Sequence, residues 1–136
     1  MVLVGYGRVG RRIAQALTKA QQPFVVAEQN REIVERLREQ GMAAVYGDAA
    51  DPAVLVQAHV ARARMLVIAT PDAMVARPMI DTARTLNPGI EVAVRSHNEE
   101  EAQRLRDDGA GQVFLGEAEL AEAMVRHVMA GAVPGR

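Results

Sequence analysis

The sequence predicts a doubly wound α/β fold in which six parallel strands form one sheet with helices on both of its faces. Three observations carry this. Short apolar runs alternate strictly with longer stretches of helical period. The runs are apolar at consecutive positions, as strands buried on both faces require, and a glycine-rich turn stands where the first strand meets the first helix. Parallel neighbours need a crossover between them, and a helix is the usual crossover, so the alternation itself dictates parallel pairing.

The first strand, Met1 to Val4, ends at Gly5, and Val9 to Lys19 then shows helical period. Phe24 to Ala27 is the second strand and Arg31 to Gln40 the second helix, with Gly41 just beyond it where a left-handed residue ends a helix. Ala43 to Tyr46 is the third strand. Asp51-Pro52 then opens a short helix reaching Ala58, because proline at the first helical position loses no hydrogen bond. Met65 to Ala69 is the fourth strand, and the helical period from Met74 to Leu86 follows. Pro78 inside that helix predicts a kink or a late start, and Asn87-Pro88-Gly89 closes it. Glu91 to Val94, the helix Glu99 to Asp107 with Gly109 after it, Gln112 to Phe114 and a final helix, Glu117 to Met129, complete the order. The final helix gathers Leu120, Met124 and Val128 on one face with Val125 and Met129 beside them. Such a face ordinarily packs on the sheet; the alternative is a partner surface, since methionines make an adaptable apolar patch, and Met74 and Met79 raise the same question. Residues 1–130 read as one domain and 131–136, with Gly131, Pro134 and Gly135, as a tail or linker.

Composition narrows the function. At 136 residues, 49% of them hydrophobic, the chain is long enough for one self-sufficient core and too short for two ordinary domains. It has no cysteine, which removes thiolate metal sites, disulfide scaffolds and cysteine nucleophiles together. A formal net charge of -1 is the wrong field for a polyphosphate backbone, and 3% aromatics with no Trp leave no base-stacking platform, so nucleic acid is not the expected partner. No apolar run approaches the roughly 20 residues that cross a bilayer, and the chain reads as soluble. Met1-Val2-Leu3-Val4 meets Gly5 abruptly, which suggests a strand trimmed from a longer protein.

Gly5-Tyr6-Gly7-Arg8-Val9-Gly10 is a G-x-G-x-x-G that follows a strand and opens a helix, the context that gives this otherwise common pattern meaning. In a Rossmann-like sheet, Gly5 allows the tight turn, Gly7 lets the backbone approach a pyrophosphate, and Gly10 permits close helix–strand packing, while N–H groups at the helix start face the phosphate. The plainer reading is that the glycines only tighten the turn.

Glu28, at the end of the second strand with Gln29 beside it, stands where a carboxylate accepts hydrogen bonds from ribose hydroxyls. Its charge would repel a 2'-phosphate, which favours NAD, AMP, ADP or ATP over NADP. Arg31 is either the cation that would offset this repulsion or a surface arginine of the first helical turn. Gly47-Asp48-Ala49 ends the third strand, where Asp48 either reaches an adenine amino group or forms a local turn or helix cap. Thr70-Pro71-Asp72 ends the fourth, where Thr70 and neighbouring amides face phosphate or ribose and Asp72 is no more than a cap. Arg95, at the end of the fifth strand, is either a phosphate clamp or a partner for a surface carboxylate; Arg8, within the glycine turn, is a second candidate cation.

Catalytic chemistry is hard to find. His59, His97 and His127 fall on different elements without metal-ligand spacing, and no nucleophile elbow or Ser, His and acid set stands out. A binding motif without a catalytic partner favours a sensor over the alternative, the cofactor-binding domain of an NAD-dependent oxidoreductase.

Four segments together, Val2-Leu3-Val4-Gly5-Tyr6-Gly7-Arg8-Val9-Gly10, Val25-Val26-Ala27-Glu28, Tyr46-Gly47-Asp48-Ala49 and Val94-Arg95-Ser96-His97-Asn98, resemble the RCK N-terminal (TrkA-N) domain family. The likeness is strongest to the version carried at the cytoplasmic end of Kef-type monovalent cation:proton antiporters, and it runs from Met1 to about Met129. The resemblance implies a regulatory domain that binds NAD(H) or AMP in the crevice, forms a homodimer and gates an antiporter of the bacterial inner membrane. It also implies roles for Gly5, Gly7 and Gly10 at phosphate, Glu28 at ribose, Gly47-Asp48-Ala49 near adenine, and Arg8 and Arg95 near the phosphates. The family often has Asp where Glu28 stands.

Overall fold

The computed structural model describes residues 1–70 and 76–131. Its six strands are β1 Val2–Val4, β2 Val25–Glu28, β3 Ala44–Tyr46, β4 Met65–Ile68, β5 Glu91–Ser96 and β6 Gln112–Leu115. All pair in parallel in the order β3-β2-β1-β4-β5-β6, so the chain reverses its direction of travel across the sheet between β1 and β4. In such sheets a ligand crevice opens at the carboxyl ends of the strands flanking that reversal. The central strand is the driest: Leu3 stands opposite Val26 and Val67, and Val2 and Leu3 are wholly buried.

The helices are α1 Arg8–Lys19, α2 Arg31–Glu39, α3 Pro52–Gln57, α4 Ala76–Leu86, α5 Glu99–Asp107 and α6 Gly116–Gly131. Their starts follow local chemistry. Asn30 Oδ1 accepts from the N–H groups of Glu32 and Ile33, Asp51 Oδ1 from Ala53, and Asn98 Oδ1 from Glu100 and Glu101, so α2, α3 and α5 each begin under a side-chain cap. In α5, Glu99 to Glu101 in the first turn and Arg104 and Arg106 in the last also match the helix dipole. Gly41 and Gly109 take the expected positive φ, +81° and +69°. Pro78 falls in the first described turn of α4, and residues 71–75, Met74 among them, lie outside the described residues.

One face of the sheet is covered by α3, α4 and α5 through Val54, Leu55, Met79, Ile80, Ala83, Ala102 and Leu105. The other is covered by α1 and α2 through Ala14, Val34 and Leu37, with Val9 and Ile13 partly buried against them. The expectation that the final helix packs on the sheet is overturned. No residue of α6 is buried, and Leu120, Met124, Val125, Val128 and Met129 are each 56–64% exposed. The sheet correspondingly stays bare over β4, β5 and β6 on the α1 side. There Val67, Ala93 and Phe114 line an apolar hollow of about 350 Å³ bordered by Val9 and Ile13.

Two departures are local. β5 runs two residues past Val94 to Ser96, whose Oγ donates to Asn98 O at 3.0 Å, so the strand includes Arg95. A 3-10 turn at Val60–Arg62, absent from the sequence reading, carries the chain from α3 into β4. It is pinned from a distance: Asn87 Nδ2 donates to Val60 O at 3.1 Å and to Ala63 O at 2.7 Å. Asn87→Ala strands the Ala63 carbonyl at a partly buried site, while Val60 O keeps the Ala63 N–H at 3.1 Å, and is expected to cost about 1.5 kcal/mol. Chemical denaturation of parent and variant measures this, and a loss below ~0.5 kcal/mol would mean that water replaces the amide.

Candidate functional site

The glycine turn joins β1 to α1 in very little space. Gly5 holds φ +92°, a conformation that side chains rarely adopt, and its N–H donates to Ala27 O at 3.0 Å. A Cβ on Gly10 would lie 2.0 Å from Gly5 O, so only glycine lets the helix start pass beneath the turn. Gly7 is different. Its φ of -84° suits any residue, and a Cβ there would meet nothing within 4 Å. Neither backbone conformation nor packing inside the protein demands glycine at this position. Gly7 is also the N-cap of α1 and supplies no side-chain acceptor, so the N–H groups of the first turn open outward, unlike those of α2, α3 and α5.

Glu28 ties the neighbouring loops together. Its Oε1 accepts from Tyr6 N–H at 3.0 Å and its Oε2 from Asn30 N–H at 2.6 Å, while its backbone carbonyl accepts from Gly47 N–H at 3.0 Å. Around it lies a hollow of about 130 Å³ lined by Val4, Gly5, Ala27, Glu28, Gln29, Gly47, Ala49, Thr70 and Met79. The structure thus brings the first glycine, Glu28, Gln29, the Gly47–Ala49 loop and Thr70 to one crevice beside β1, where the strand order reverses. Met79, from α4, was missed: nothing local marks a buried helix methionine as a crevice wall.

Other candidates point elsewhere. Asp48 Oδ1 accepts from Ala50 N–H at 2.9 Å, the local turn allowed for it, and the cap of α3 is Asp51. The Arg31 guanidinium sits 4.9 Å from the centroid of the Tyr46 ring. The Tyr6 side chain lies with Arg11 and Ile33 in the groove between α1 and α2, and Val9 packs toward the sheet, so neither side chain lines the crevice. Arg8 is exposed at the start of α1. Arg95 Nη1 donates to Ala69 O at 3.3 Å, and its side chain lines the apolar hollow rather than the crevice at Glu28. Pro71 and Asp72 lie outside the described residues. Among the described residues no three His, Asp or Glu side chains cluster as a metal site, and no helix is long and apolar enough to cross a membrane.

Comparison with known proteins adds an independent line. The profile of the family described as TrkA-N domain matches residues 1–116. The chain is similar to the putative cation/proton antiporter YbaL of Escherichia coli, with 39% identity over 124 residues, 91% of this chain and 22% of that protein. It is also similar to the putative K(+) efflux antiporter KefB of Alkalimonas amylolytica, with 33% identity over 129 residues, 95% of this chain and 20% of that protein. The chain therefore spans about a fifth of the length of these curated relatives. Among solved structures it matches the TrkA-N domain of the inner membrane protein YbaL from Escherichia coli with a TM-score of 0.87 and 38% identity, over 92% of this chain and 93% of that one. It matches the GsuK channel bound to NAD with a TM-score of 0.71 and 27% identity, over 82% of this chain and 20% of that one.

The glycine geometry makes a prediction independent of any ligand. Gly10→Ala forces a methyl into the Gly5 carbonyl and is expected to lower stability by about 3 kcal/mol or prevent folding, whereas Gly7→Ala, which only replaces a glycine N-cap, stays within ~1 kcal/mol of the parent. Thermal melts of both variants read the difference; equal destabilisation would mean that Gly7 has a structural duty too.

Proposed function

The chain belongs to the TrkA-N domain family, and on that premise we propose that it is a regulatory domain that binds an adenine nucleotide, NAD(H) or AMP, and gates a Kef-type potassium/proton antiporter. The observation that carries the reading is Gly7, a glycine for which the protein's own packing has no use, placed at the N-cap of α1. A bare backbone there lets a diphosphate come close to N–H groups that the helix leaves open. Glu28, Gln29, the Gly47–Ala49 loop and Thr70 would then surround the sugar and base, with Glu28 accepting from the ribose hydroxyls. That GsuK, a channel, was solved with NAD and with ADP supports a nucleotide in this fold.

Transport itself would reside in the part of the relatives that this chain does not span, and the domain would act on the cytoplasmic side of the inner membrane as a sensor rather than an enzyme. A coupling free energy of about 1 to 3 kcal/mol between nucleotide and gate would change opening five-fold or more.

A sensor of this kind needs a partner face, and α6 supplies one. Its apolar residues project uncovered while the β4–β6 side of the sheet presents an uncovered apolar hollow of matching character. A second copy of the chain, seating its α6 on that hollow, buries both and makes the homodimer.

Isothermal titration tests the ligand: NADH is expected to bind at least about ten-fold tighter than NADPH because of the Glu28 charge, and NADPH binding tighter would remove the argument from Glu28. Gly7→Ala, with its fold intact, should weaken NADH by about ten-fold or more. For the dimer, light scattering should show two copies for the parent and one for Met124→Glu; a monomeric parent would return α6 to some other occupant.

A further inference from the structure

We propose that Glu28 is a positioning residue for the phosphate end of the site, in addition to the sugar contact proposed above, because its carboxylate holds the glycine turn against the start of α2. Three loops meet on this one residue. Oε1 takes the Tyr6 N–H from the β1–α1 turn, Oε2 takes the Asn30 N–H from the β2–α2 turn, and the Glu28 carbonyl takes the Gly47 N–H from the β3–α3 turn. Tyr6 lies between Gly5 and Gly7, and its side chain packs in the groove between α1 and α2, so it makes no tie to the end of β2. Beyond the Gly5 N–H on Ala27 O, the Glu28 bond is what anchors this turn to the second strand. An ionised carboxylate accepting backbone N–H groups makes stronger bonds than a neutral acceptor. It also has about four acceptor positions, so two N–H partners leave room for a ribose diol. The side chain is half-buried and reaches both amides at once, a span that its length permits.

The consequence is that changing Glu28 disturbs phosphate binding even when the ligand has no hydroxyls for Glu28 to hold. A pure sugar contact has no such effect. The test pairs two readouts on the full chain. In the first, parent and Glu28→Gln are titrated with ADP and with 2',3'-dideoxy-ADP. Glutamine keeps the size but turns an NH2 toward one of the two N–H donors. The dideoxy nucleotide is expected to weaken about five-fold, equivalent to ~1 kcal/mol, and ADP more than that. Equal dideoxy-ADP affinity for parent and variant would overturn the proposal. In the second, NMR follows the Tyr6 and Asn30 amide protons without nucleotide: both are expected to lie downfield in the parent and to move upfield in Glu28→Gln, and unmoved resonances would also overturn it. The ligand arm rests on the nucleotide reading above. If neither nucleotide binds the parent, that reading fails by itself, and the amide resonances still decide whether Glu28 braces the turn.

Discussion

The closeness of Gly10 to the Gly5 carbonyl governs the functional end of this molecule. With 2.0 Å between that oxygen and the place a Cβ would occupy, the end of β1 and the start of α1 are as near as two backbones can pack. A side chain there would push α1 off the sheet, and three arrangements would go with it. Ala14 would leave the core that α1 shares with Leu3 and Val26. Tyr6 N–H would no longer sit 3.0 Å from Glu28 Oε1. Gly7 would no longer stand as the bare N-cap of α1. One steric fact therefore sets both the packing of a helix and the direction in which its first N–H groups face.

Much of the fold was legible because it rests on short-range rules. Consecutive apolar residues at Val2 to Val4 and Val25 to Ala27 announce strands buried on both faces, and Asp51-Pro52 announces a helix start. The crevice was legible for a similar reason, since strand ends on one edge of a parallel sheet converge wherever the loops are short. Long-range facts were not. Arg95 was read as following a strand that ended at Val94; the strand continues to Ser96, and alternation turns Arg95 toward the α1 side while Val94 faces the other core. The Val60–Arg62 turn is held by Asn87, a residue 24 or more positions away. Glu28 could be picked from its place at a strand end, but its bonds to Tyr6 and Asn30 depend on how loops approach one another in space.

The final helix shows a second limit. An amphipathic pattern says that a face must be covered and is silent on what covers it. In this chain the helix and the sheet face that could have received it are both left open, Phe114 at 44% exposure included. Helix α1 joins the two halves of the arrangement: Gly5, three residues before its start, lines the crevice, and Val9 and Ile13 border the bare hollow. A movement of α1 at one end would be felt at the other, which would give the proposed nucleotide site and the proposed partner face a common element to bias.

The most direct measurement is a crystal structure of the chain grown with ADP. The diphosphate is expected against the backbone N–H groups from Gly7 to Val9, with the ribose hydroxyls on Glu28. Density for the nucleotide in the groove between α1 and α2, in the apolar hollow, or at any place away from the glycine turn would contradict the account.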